Sequence, residues 1–216
     1  MRLFNKNSLF WVKGVDYKMG NRTKENDEMA IYFTSDTHFG REEFFKEDFF
    51  TDRRNIWSNA QEMDEALIKN WNETVGREDT VFHLGDFSNY DDPIKNQRIW
   101  NRLNGKKTLI LGNHDTRKRL DERNFPYGRV TLPSCVTINT AHWELFLTHF
   151  PCLDWTNKWK WVDGVAVEHA IQLYGHVHNN RPIELEHQRA YNVGVDNNDF
   201  RPISLDEILK RLNLTS

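Results

Sequence analysis

The sequence lacks the features that define several classes of protein. Its 216 residues include only two cysteines, Cys135 and Cys152, which do not form a CxxC pair. This argues against a disulfide scaffold or a structural zinc site. No apolar run approaches the roughly 18 residues that a membrane-spanning helix needs. In residues 1–28, Lys, Asn and Asp interrupt the apolar positions, which is unlike a secretory signal. We expect a cytoplasmic protein with no membrane association.

The sequence also lacks a large excess of charge of either sign. Lys and Arg total 29, Asp and Glu total 32, and the formal net charge is −3. A general duplex-DNA binder has a basic surface, so this mixture argues against that class. A small phosphorylated substrate agrees better with the charge. The length corresponds to one ordinary domain.

Three segments share one pattern, in which a short apolar strand ends at side chains that can bind metal. They are residues 30–35 followed by Asp36-Thr37-His38, residues 80–86, and residues 108–115. Two helices are predicted between these strands. One carries an apolar stripe from Met63 to Val75, and the other runs from Pro93 to about Leu103 with Asp92 as its N-cap. Alternating strands and helices favour a parallel sheet.

The second half of the chain has a different pattern. Residues 130–139, 143–149, 171–175 and 189–195 read as strands with little helix between them, so we expect a second, more antiparallel sheet. Ser204 and Glu207 form a capping-box pattern that opens a terminal helix.

The first 28 residues have an open status. Met29 could be the true start of the protein, or residues 1–28 could include a peripheral strand with Phe4, Leu9, Phe10 and Trp11. We therefore treat residues 1–28 as an N-terminal extension and residues 29–216 as the main domain.

Five short segments near predicted strand ends carry Asp, Asn and His. In a D-x-H or H-x-H pair, alternate residues share one side of a strand, so both can reach a common ion. Imidazole, carboxylate and amide ligands suit manganese, iron or zinc better than magnesium or calcium. Two ions about 3.5–4 Å apart can clamp both oxygens of an in-line phosphoryl displacement. The pattern therefore predicts hydrolysis of a phosphate ester. The segments are Asp36-Thr37-His38, Gly85-Asp86, Gly112-Asn113-His114-Asp115, Thr148-His149 and Gly175-His176-Val177-His178.

With DTH, GDF, GNHD, TH and GHVH in this order, the chain resembles the calcineurin-like metallophosphoesterase superfamily over about residues 31–178. SDTHFG, QEMDEALIKNWN, HLGDF and YNVGVDNNDFRPISLDEI are similar to a small bacterial and phage group of predicted phosphoesterases, and they extend the resemblance to about residue 210. The resemblance implies an α/β fold in which two facing mixed β-sheets are flanked by helices. It also identifies residues 29–216 as the metallophosphoesterase domain.

The resemblance further implies the metal ligands and the reaction. One ion would be held by Asp36, His38, Asp86 and His178, and the other by Asp86, Asn113, His149 and His176, with Asp86 as the bridge. His114 would contact the phosphate and protonate the leaving oxygen, and Asp115 would orient its ring. A metal-bridging hydroxide would attack phosphorus. The expected cofactors are two divalent ions, with Mn²⁺ as the first choice and Fe, Zn or Ni as alternatives.

Several residues near these motifs remain open to two interpretations. Many superfamily members carry an acidic residue three positions after the bridging Asp, and here that position is Asn89. Arg41 is a candidate partner of the substrate phosphate, whereas Arg117, Lys118 and Arg119 read as surface charge. His83 reads as a structural core histidine. Trp155, Trp159 and Trp161 could form a lid over the site, but packing is the favoured interpretation.

We expect a phosphodiesterase that acts on small or nucleotide substrates. The alternative enzyme is a nuclease on single strands or ends, because the same metal pair can cleave nucleic-acid diesters. A non-catalytic scaffold is the alternative from another class, although every ligand position is filled.

Overall fold

The computed structural model describes residues 29–46, 52–116, 119–120, 130–132, 135–140, 142–180 and 188–214. Residues 1–28 lie outside this range, so both interpretations of that segment stay predictions, as does the extent of the domain. Arg117 and Lys118 also lie outside it.

The first sheet has the strand order β11-β1-β2-β3-β4. Strands β1 to β4 are mutually parallel, and β11 pairs with β1 in the antiparallel direction. The parallel sheet expected from the alternating pattern is therefore confirmed. The strands are β1 Ile31–Thr34, β2 Thr80–His83, β3 Lys106–Ile110, β4 Val130–Leu132 and β11 Ile203–Ser204.

The second sheet has the order β10-β9-β6-β5. Its strands are β5 Cys135–Asn139, β6 Glu144–Thr148, β9 Ile171–Tyr174 and β10 Ala190–Asn192. Only the β5–β6 pair is antiparallel, whereas β6–β9 and β9–β10 are parallel. The second sheet is therefore only slightly more antiparallel than the first, with one antiparallel pair in three against one in four. Little helix between strands does not exclude parallel pairing, because a parallel pair does not need a helical crossover. The segment between β6 and β9 makes this crossover with an irregular chain and a hairpin.

The predicted strand over residues 130–139 is two strands. Its first part, β4, is the edge of the first sheet, and its second part, β5, is the edge of the second sheet. The sequence carries a signal for this division, because Pro133-Ser134 interrupts the β-forming residues between the two strands.

The helices follow the capping signals in the sequence. Helix α1 is Ala60–Thr74, α2 is Pro93–Arg102 and α3 is Leu205–Arg211. The N-cap side chain of Asp92 accepts from Ile94 N–H at 2.9 Å, and that of Ser204 accepts from Glu207 N–H at 3.2 Å. Both satisfy backbone donors that a helix leaves unpaired in its first turn. In the described part of the chain, no helix has both the length and the apolarity to cross a membrane.

The two larger sheets face each other across a shared apolar core. Phe33 and Phe82 of the first sheet lie in one buried cluster with Leu147 and Leu173 of the second. On the opposite face of the first sheet, α1 and α2 cover a second buried cluster that includes Met63, Trp71 and Trp100. Burial of each large apolar side chain contributes about 1.5–3 kcal/mol. The two packed faces fix the first sheet, and with it the positions where its strands end.

A separate hairpin projects from the crossover between β6 and β9. It consists of β7 Trp159–Val162 and β8 Val165–Glu168. Trp159 is 52% exposed and Trp161 is 73% exposed, whereas Trp155, just before the hairpin, is buried and donates its indole N–H to the Ala170 carbonyl at 3.1 Å. Packing is thus the role of Trp155, while the other two tryptophans face solvent.

His83 is fully buried inside the core and has a defined tautomer. Gly85 N–H donates to His83 Nδ1 at 3.2 Å, so Nε2 carries the proton and donates to Thr37 Oγ1 at 2.9 Å. The Thr37 hydroxyl donates in turn to the Phe87 carbonyl at 2.9 Å. Burial lowers the pKa of His83 to about 3. These contacts give His83 the structural role that the sequence predicts.

The depressed pKa of His83 should make folding depend on pH. Below an unfolded pKa of 6.5 the unfolded chain binds a proton that folded His83 excludes until the pH approaches 3. The contribution of neutral His83 to the free energy of unfolding is therefore fully present above about pH 6.5 and is lost as the pH falls. At about pH 5 the loss from this residue is about 2 kcal/mol. Urea unfolding of metal-free protein at about pH 7.5 and pH 5 should show a smaller loss for His83→Gln than for wild type.

The exposed histidine His142 provides the matched control. His142→Gln removes a histidine without removing the buried group, so its stability should fall with pH as in wild type. An equal loss in all three proteins would contradict the assignment of this pH dependence to His83.

Candidate metal centre

The five motif segments meet at one edge of the two sheets. Strands β1, β2 and β3 are parallel, so the residues that follow them emerge at the same edge. The residues after β6 and β9 emerge beside them, because Gly175 N–H donates to the His149 carbonyl at 3.0 Å. Two groups of side chains there could each hold a metal ion. They are Asp36, His38 and His178, and Asp86, His149 and His176.

Asp86 joins the two groups. One oxygen, Oδ2, lies 3.4 Å from His38 Nε2 and 3.4 Å from His149 Nε2. The other oxygen, Oδ1, accepts from the backbone N–H of His114 at 2.8 Å. Asn113 Oδ1 lies 3.0 Å from His149 Nε2, on the side of the second group. The predicted bridging residue therefore lies between one histidine of each group, where a carboxylate can contact two ions.

Asp36 provides a test of whether this site suits a cation. Its Oδ2 accepts from Ser35 Oγ at 2.6 Å and from His176 N–H at 2.9 Å. Its Oδ1 is buried and has no hydrogen-bond partner in the described part of the chain. An unpaired buried carboxylate oxygen is costly unless a cation binds to it. The donor set of histidine nitrogens and carboxylate and amide oxygens also suits first-row divalent ions. The residues present therefore fit a metal centre.

Three of the candidate ligand histidines are oriented in the same way. In each, Nδ1 contacts an oxygen that can only accept, so Nδ1 carries a proton and Nε2 is the nitrogen that a metal would bind. Both His38 and His149 direct that Nε2 atom toward Asp86. The three Nδ1 contacts are His38 to Asn89 Oδ1 at 2.9 Å, His149 to the Leu84 carbonyl at 2.8 Å, and His178 to Asp196 Oδ2 at 2.7 Å.

Asn89 shows how this chain accommodates its departure from the usual motif. Its side-chain oxygen orients His38, and its backbone N–H donates to the Phe39 carbonyl at 2.8 Å. An amide oxygen accepts a hydrogen bond as a carboxylate does, but it adds no negative charge. The substitution keeps the orientation of the ring while leaving His38 without an acidic partner at Nδ1.

The two histidines of the H-x-H motif belong to different groups, His178 with Asp36 and His176 with Asp86. The resemblance also assigns these two histidines to different ions, whereas strand alternation, by which both could reach a common ion, does not apply to this pair. Both residues lie beyond the end of β9 and have positive φ angles of 70° and 50°. Left-handed residues do not alternate as a strand does. Asp36, His38 and Asp86 also have positive φ, at 58°, 48° and 58°.

Left-handed conformations are unfavourable for residues with a side chain, and they concentrate at functional sites. Here they occur at five candidate metal ligands, which turn sharply out of their strands toward a common point. Hydrogen bonds across the strand ends hold this geometry. Asp36 N–H donates to the Gly85 carbonyl, and His38 N–H to the Asp86 carbonyl, both at 3.0 Å.

Two motif glycines leave room for the aspartates. A Cβ atom on Gly112 would lie 2.5 Å from the Asp86 backbone nitrogen, and one on Gly175 would lie 2.5 Å from Asp36 Oδ2. Both distances are well inside van der Waals contact. The glycines are required because the strand ends approach each other this closely, which explains why each precedes a ligand residue.

Asp115 has contacts that differ from its expected role. Its Oδ2 accepts from Asp86 N–H at 2.6 Å and Gly112 N–H at 2.8 Å, and its Oδ1 accepts from Phe87 N–H at 2.9 Å. These bonds tie the loop after β2 to the loop after β3. The expectation that Asp115 orients the His114 ring is thus corrected, because its oxygens bind backbone amides of these two loops.

Arg41 and His114 lie together at the mouth of the site. Arg41 Nη1 is 3.5 Å from His114 Nε2 and 3.3 Å from His38 Nδ1. Both side chains line a cavity of about 440 Å³ with Asp86, His176 and His178. Of the sequence candidates, Arg41 and His114 therefore reach the same space as the metal groups. Arg119 instead pairs with Asp91 at 2.9 Å, and no tryptophan is among the described residues that line this cavity.

The pKa values of Asp36 and Asp86 are shifted in opposite directions. Burial raises the pKa of Asp36, although the charges of His178 and His149 act in the opposite direction. Burial alone would also raise the pKa of Asp86, but the hydrogen bond and charge of His149 outweigh it, and the pKa lies below its ordinary value. A neighbouring positive charge thus keeps Asp86 ionised, and a divalent cation would do so more strongly.

Two residues that contact this site were not found by sequence reasoning. Asp196 orients His178, and Arg53 is fully buried beside Asp196. Asp196 lies in the segment YNVGVDNNDF, whose resemblance to the phage group was the available signal. Arg53 has no motif around it, so no local pattern could have identified it.

Comparisons with known proteins agree with this geometry. Residues 29–197 match the family model described as the calcineurin-like phosphoesterase superfamily domain. An uncharacterized protein of Methanocaldococcus jannaschii is 31% identical over 186 residues, or 83% of this chain and 89% of that protein. The Gene 66 protein of Mycobacterium phage L5 is 28% identical over 204 residues, or 84% of this chain and 93% of that protein. A solved structure of a protein of unknown function from Aquifex aeolicus is 26% identical with a TM-score of 0.62, and the match covers 85% of this chain and 99% of that one.

Gly175→Ala should weaken metal binding while the fold persists. The added Cβ would lie 2.2 Å from Ser35 Oγ and 2.5 Å from Asp36 Oδ2, so it must displace this hydroxyl together with the carboxylate to which it donates. We expect about 10–100-fold lower affinity at one of two metal-binding steps, measured by Mn²⁺ calorimetry. Gly164→Ala is the matched control, because a Cβ there meets nothing within 4 Å, although its φ of 80° is strained. Unchanged binding in Gly175→Ala would contradict the placement of Asp36.

Proposed function

We propose that this chain, which belongs to the calcineurin-like phosphoesterase superfamily, is a dinuclear metal-dependent phosphodiesterase. Membership of the superfamily makes it a hydrolase of phosphoester bonds. Its proposed substrates are small molecules or nucleotides. The observation that carries this proposal is the position of Asp86 Oδ2, which is 3.4 Å from a histidine nitrogen of each metal group. The ions of a two-metal site lie about 3.5–4 Å apart, so one carboxylate in this position could bridge them.

The proposed ligands divide into two sets that share Asp86. Asp36, His38 and His178 would hold one ion, and Asn113, His149 and His176 would hold the other. Two divalent ions bound there would supply an activated water near neutral pH and neutralise charge on the phosphoryl oxygens. We propose Mn²⁺ as the native ion, because the ligand set is mixed nitrogen and oxygen without thiolate.

The charge around the cavity favours a diester over a monoester. A phosphate monoester carries up to two negative charges near neutral pH, whereas a diester carries one. Among the described residues that line the cavity, Arg41 is the only arginine or lysine. Its guanidinium can donate to a phosphate oxygen and hold a singly charged group. A cavity of about 440 Å³ also suits a small molecule such as a nucleotide diester.

Turnover of two nitrophenyl phosphates, one diester and one monoester, tests this function with Mn²⁺ added. The diester should be cleaved faster. Asp86→Asn should lower its turnover by about 1000-fold, because several kcal/mol of charge stabilisation at the transition state are lost. Asp206→Asn is the matched control, since Asp206 is an exposed carboxylate in α3, and it should retain wild-type turnover.

The nuclease and the non-catalytic scaffold predict different results in these turnover measurements. Faster cleavage of a single-stranded oligonucleotide than of small diesters would identify the nuclease. Metal-loaded protein that cleaves none of these compounds, with Asp86→Asn indistinguishable from wild type in the cell, would identify the scaffold. Faster cleavage of the monoester would contradict the diester preference while leaving the metal site intact.

His114 should act as the general acid for the leaving oxygen. Its ring lines the cavity, and its backbone N–H is held by Asp86 Oδ1 at 2.8 Å. A nitrophenolate leaves without a proton, but an alkoxide needs one. His114→Gln should therefore lower turnover of an alkyl or nucleoside diester by about 10²–10⁴-fold, and that of the nitrophenyl diester much less.

His142→Gln, which changes an exposed histidine, should leave both substrates unaffected. Equal losses for both leaving groups in His114→Gln would mean that His114 binds the phosphate without donating a proton.

A further inference from the structure

Arg53 lies in the core directly behind one of the two metal groups. Its side chain is fully buried, and its guanidinium lies 4.3 Å from the centre of the Phe44 ring. Nη2 donates to the Asp36 carbonyl at 2.6 Å, and Nη1 donates to the Thr37 carbonyl at 3.0 Å. These are the carbonyls of the D-x-H segment, whose first residue has a left-handed backbone. Arg53 thus holds the chain that presents Asp36 and His38.

The same guanidinium forms a two-point ion pair with Asp196. Nε donates to Oδ1 at 2.8 Å, and Nη2 donates to Oδ2 at 2.7 Å. Oδ2 also accepts from His178 Nδ1 at 2.7 Å. A planar arginine fork fixes a carboxylate in orientation as well as position. Because Arg53 fixes the Asp196 carboxylate and this carboxylate accepts from His178, the position of Arg53 determines the orientation of the His178 ring.

The segment around Asp196 also hydrogen-bonds to the backbone of His178. The side-chain amides of Asn192 and Asn197 both donate to the His178 carbonyl, the former at 2.8 Å. Both the backbone and the ring of His178 are thus positioned by residues 192–197. His178 has a φ of 50°, so its conformation needs such support.

Within the residues that the structure describes, no buried arginine–carboxylate pair contacts the second metal group. His149, its buried histidine, is oriented by the Leu84 backbone carbonyl at 2.8 Å. A carbonyl in a strand-end loop is fixed by the sheet itself, whereas the Asp196 carboxylate is fixed by a side chain from a separate part of the chain. The charged pair therefore contacts ligands of only one group.

We propose that the buried Arg53–Asp196 pair positions the metal ligands Asp36, His38 and His178 and so sets the metal affinity of that group alone. This inference rests on the proposed two-ion site. Arg53 and Asp196 are positioning residues, because they act through the backbone of the D-x-H segment and the ring of His178. Partners of this kind commonly change metal affinity by about 10–100-fold.

The test is Mn²⁺ titration of purified protein, followed by electron paramagnetic resonance. Wild type should bind two ions and give the spectrum of a coupled pair. Asp196→Ala and Arg53→Met should bind one ion with wild-type affinity and the second about 10–100-fold more weakly. At one equivalent they should give the six-line spectrum of an isolated Mn²⁺. His178→Ala defines the result for loss of a ligand in the same group.

Two further variants separate positioning from general damage to the fold. Asp196→Asn keeps an acceptor for His178 but loses the charged pair, so its affinity should fall between wild type and Asp196→Ala. Arg102→Ala breaks an exposed arginine pair with Glu65 and should bind as wild type does. Thermal unfolding without metal establishes which variants are folded. If Asp196→Ala does not fold, the Asp196→Asn titration decides by the same criterion.

The outcomes distinguish this inference from the function on which it rests. Wild type that binds fewer than two ions would overturn the dinuclear function. Wild type that binds two, together with folded variants that bind two at unchanged affinity, would overturn the role of Arg53 and Asp196 alone. Equal weakening of both binding steps would also overturn it, because the pair contacts ligands of one group only.

Discussion

The buried carboxylate of Asp86 is the constraint on which the rest of the site depends. It lies at the junction of two ligand groups, with one oxygen 3.4 Å from a histidine nitrogen on each side. A carboxylate in this position is stable only with positive charge and hydrogen-bond donors around it. His149, the backbone amide of His114 and, in the proposed holoenzyme, two cations meet that requirement. The sheets supply the rigid edge on which these groups converge.

That convergence requires strained backbone conformations at the candidate ligands, and hydrogen bonds from several parts of the chain stabilise them. Five candidate ligands have left-handed backbones, which are individually unfavourable. Asp115 ties the loops after β2 and β3 through three backbone amides, and Arg53 holds the D-x-H segment from behind. Two apolar cores, one between the sheets and one beneath the helices, hold the strands themselves. Apolar packing thus holds the strands in position, and buried polar groups hold the candidate metal ligands at the ends of those strands.

The two metal groups differ in how they are supported. In one group, His149 is oriented by a backbone carbonyl. In the other, His38 is oriented by the amide oxygen of Asn89, and His178 by the arginine-bound carboxylate of Asp196. The neutral Asn89 at the His38 ring adds no negative charge to the site, as an aspartate there would. In the proposed two-ion site, such asymmetry would give each ion its own affinity.

The sequence by itself determined the types of candidate ligand, their order along the chain, the starts of α2 and α3 and the parallel first sheet. These features depend on residue chemistry and short spacings, as at the Asp92 cap and the GNHD motif. Only the tertiary structure gave the candidate ligands their left-handed backbones, made the second sheet mainly parallel, and brought Arg53 to Asp196 across 143 positions. Left-handed dihedrals, non-helical crossovers and long-range ion pairs leave no local pattern, because each depends on where distant segments pack.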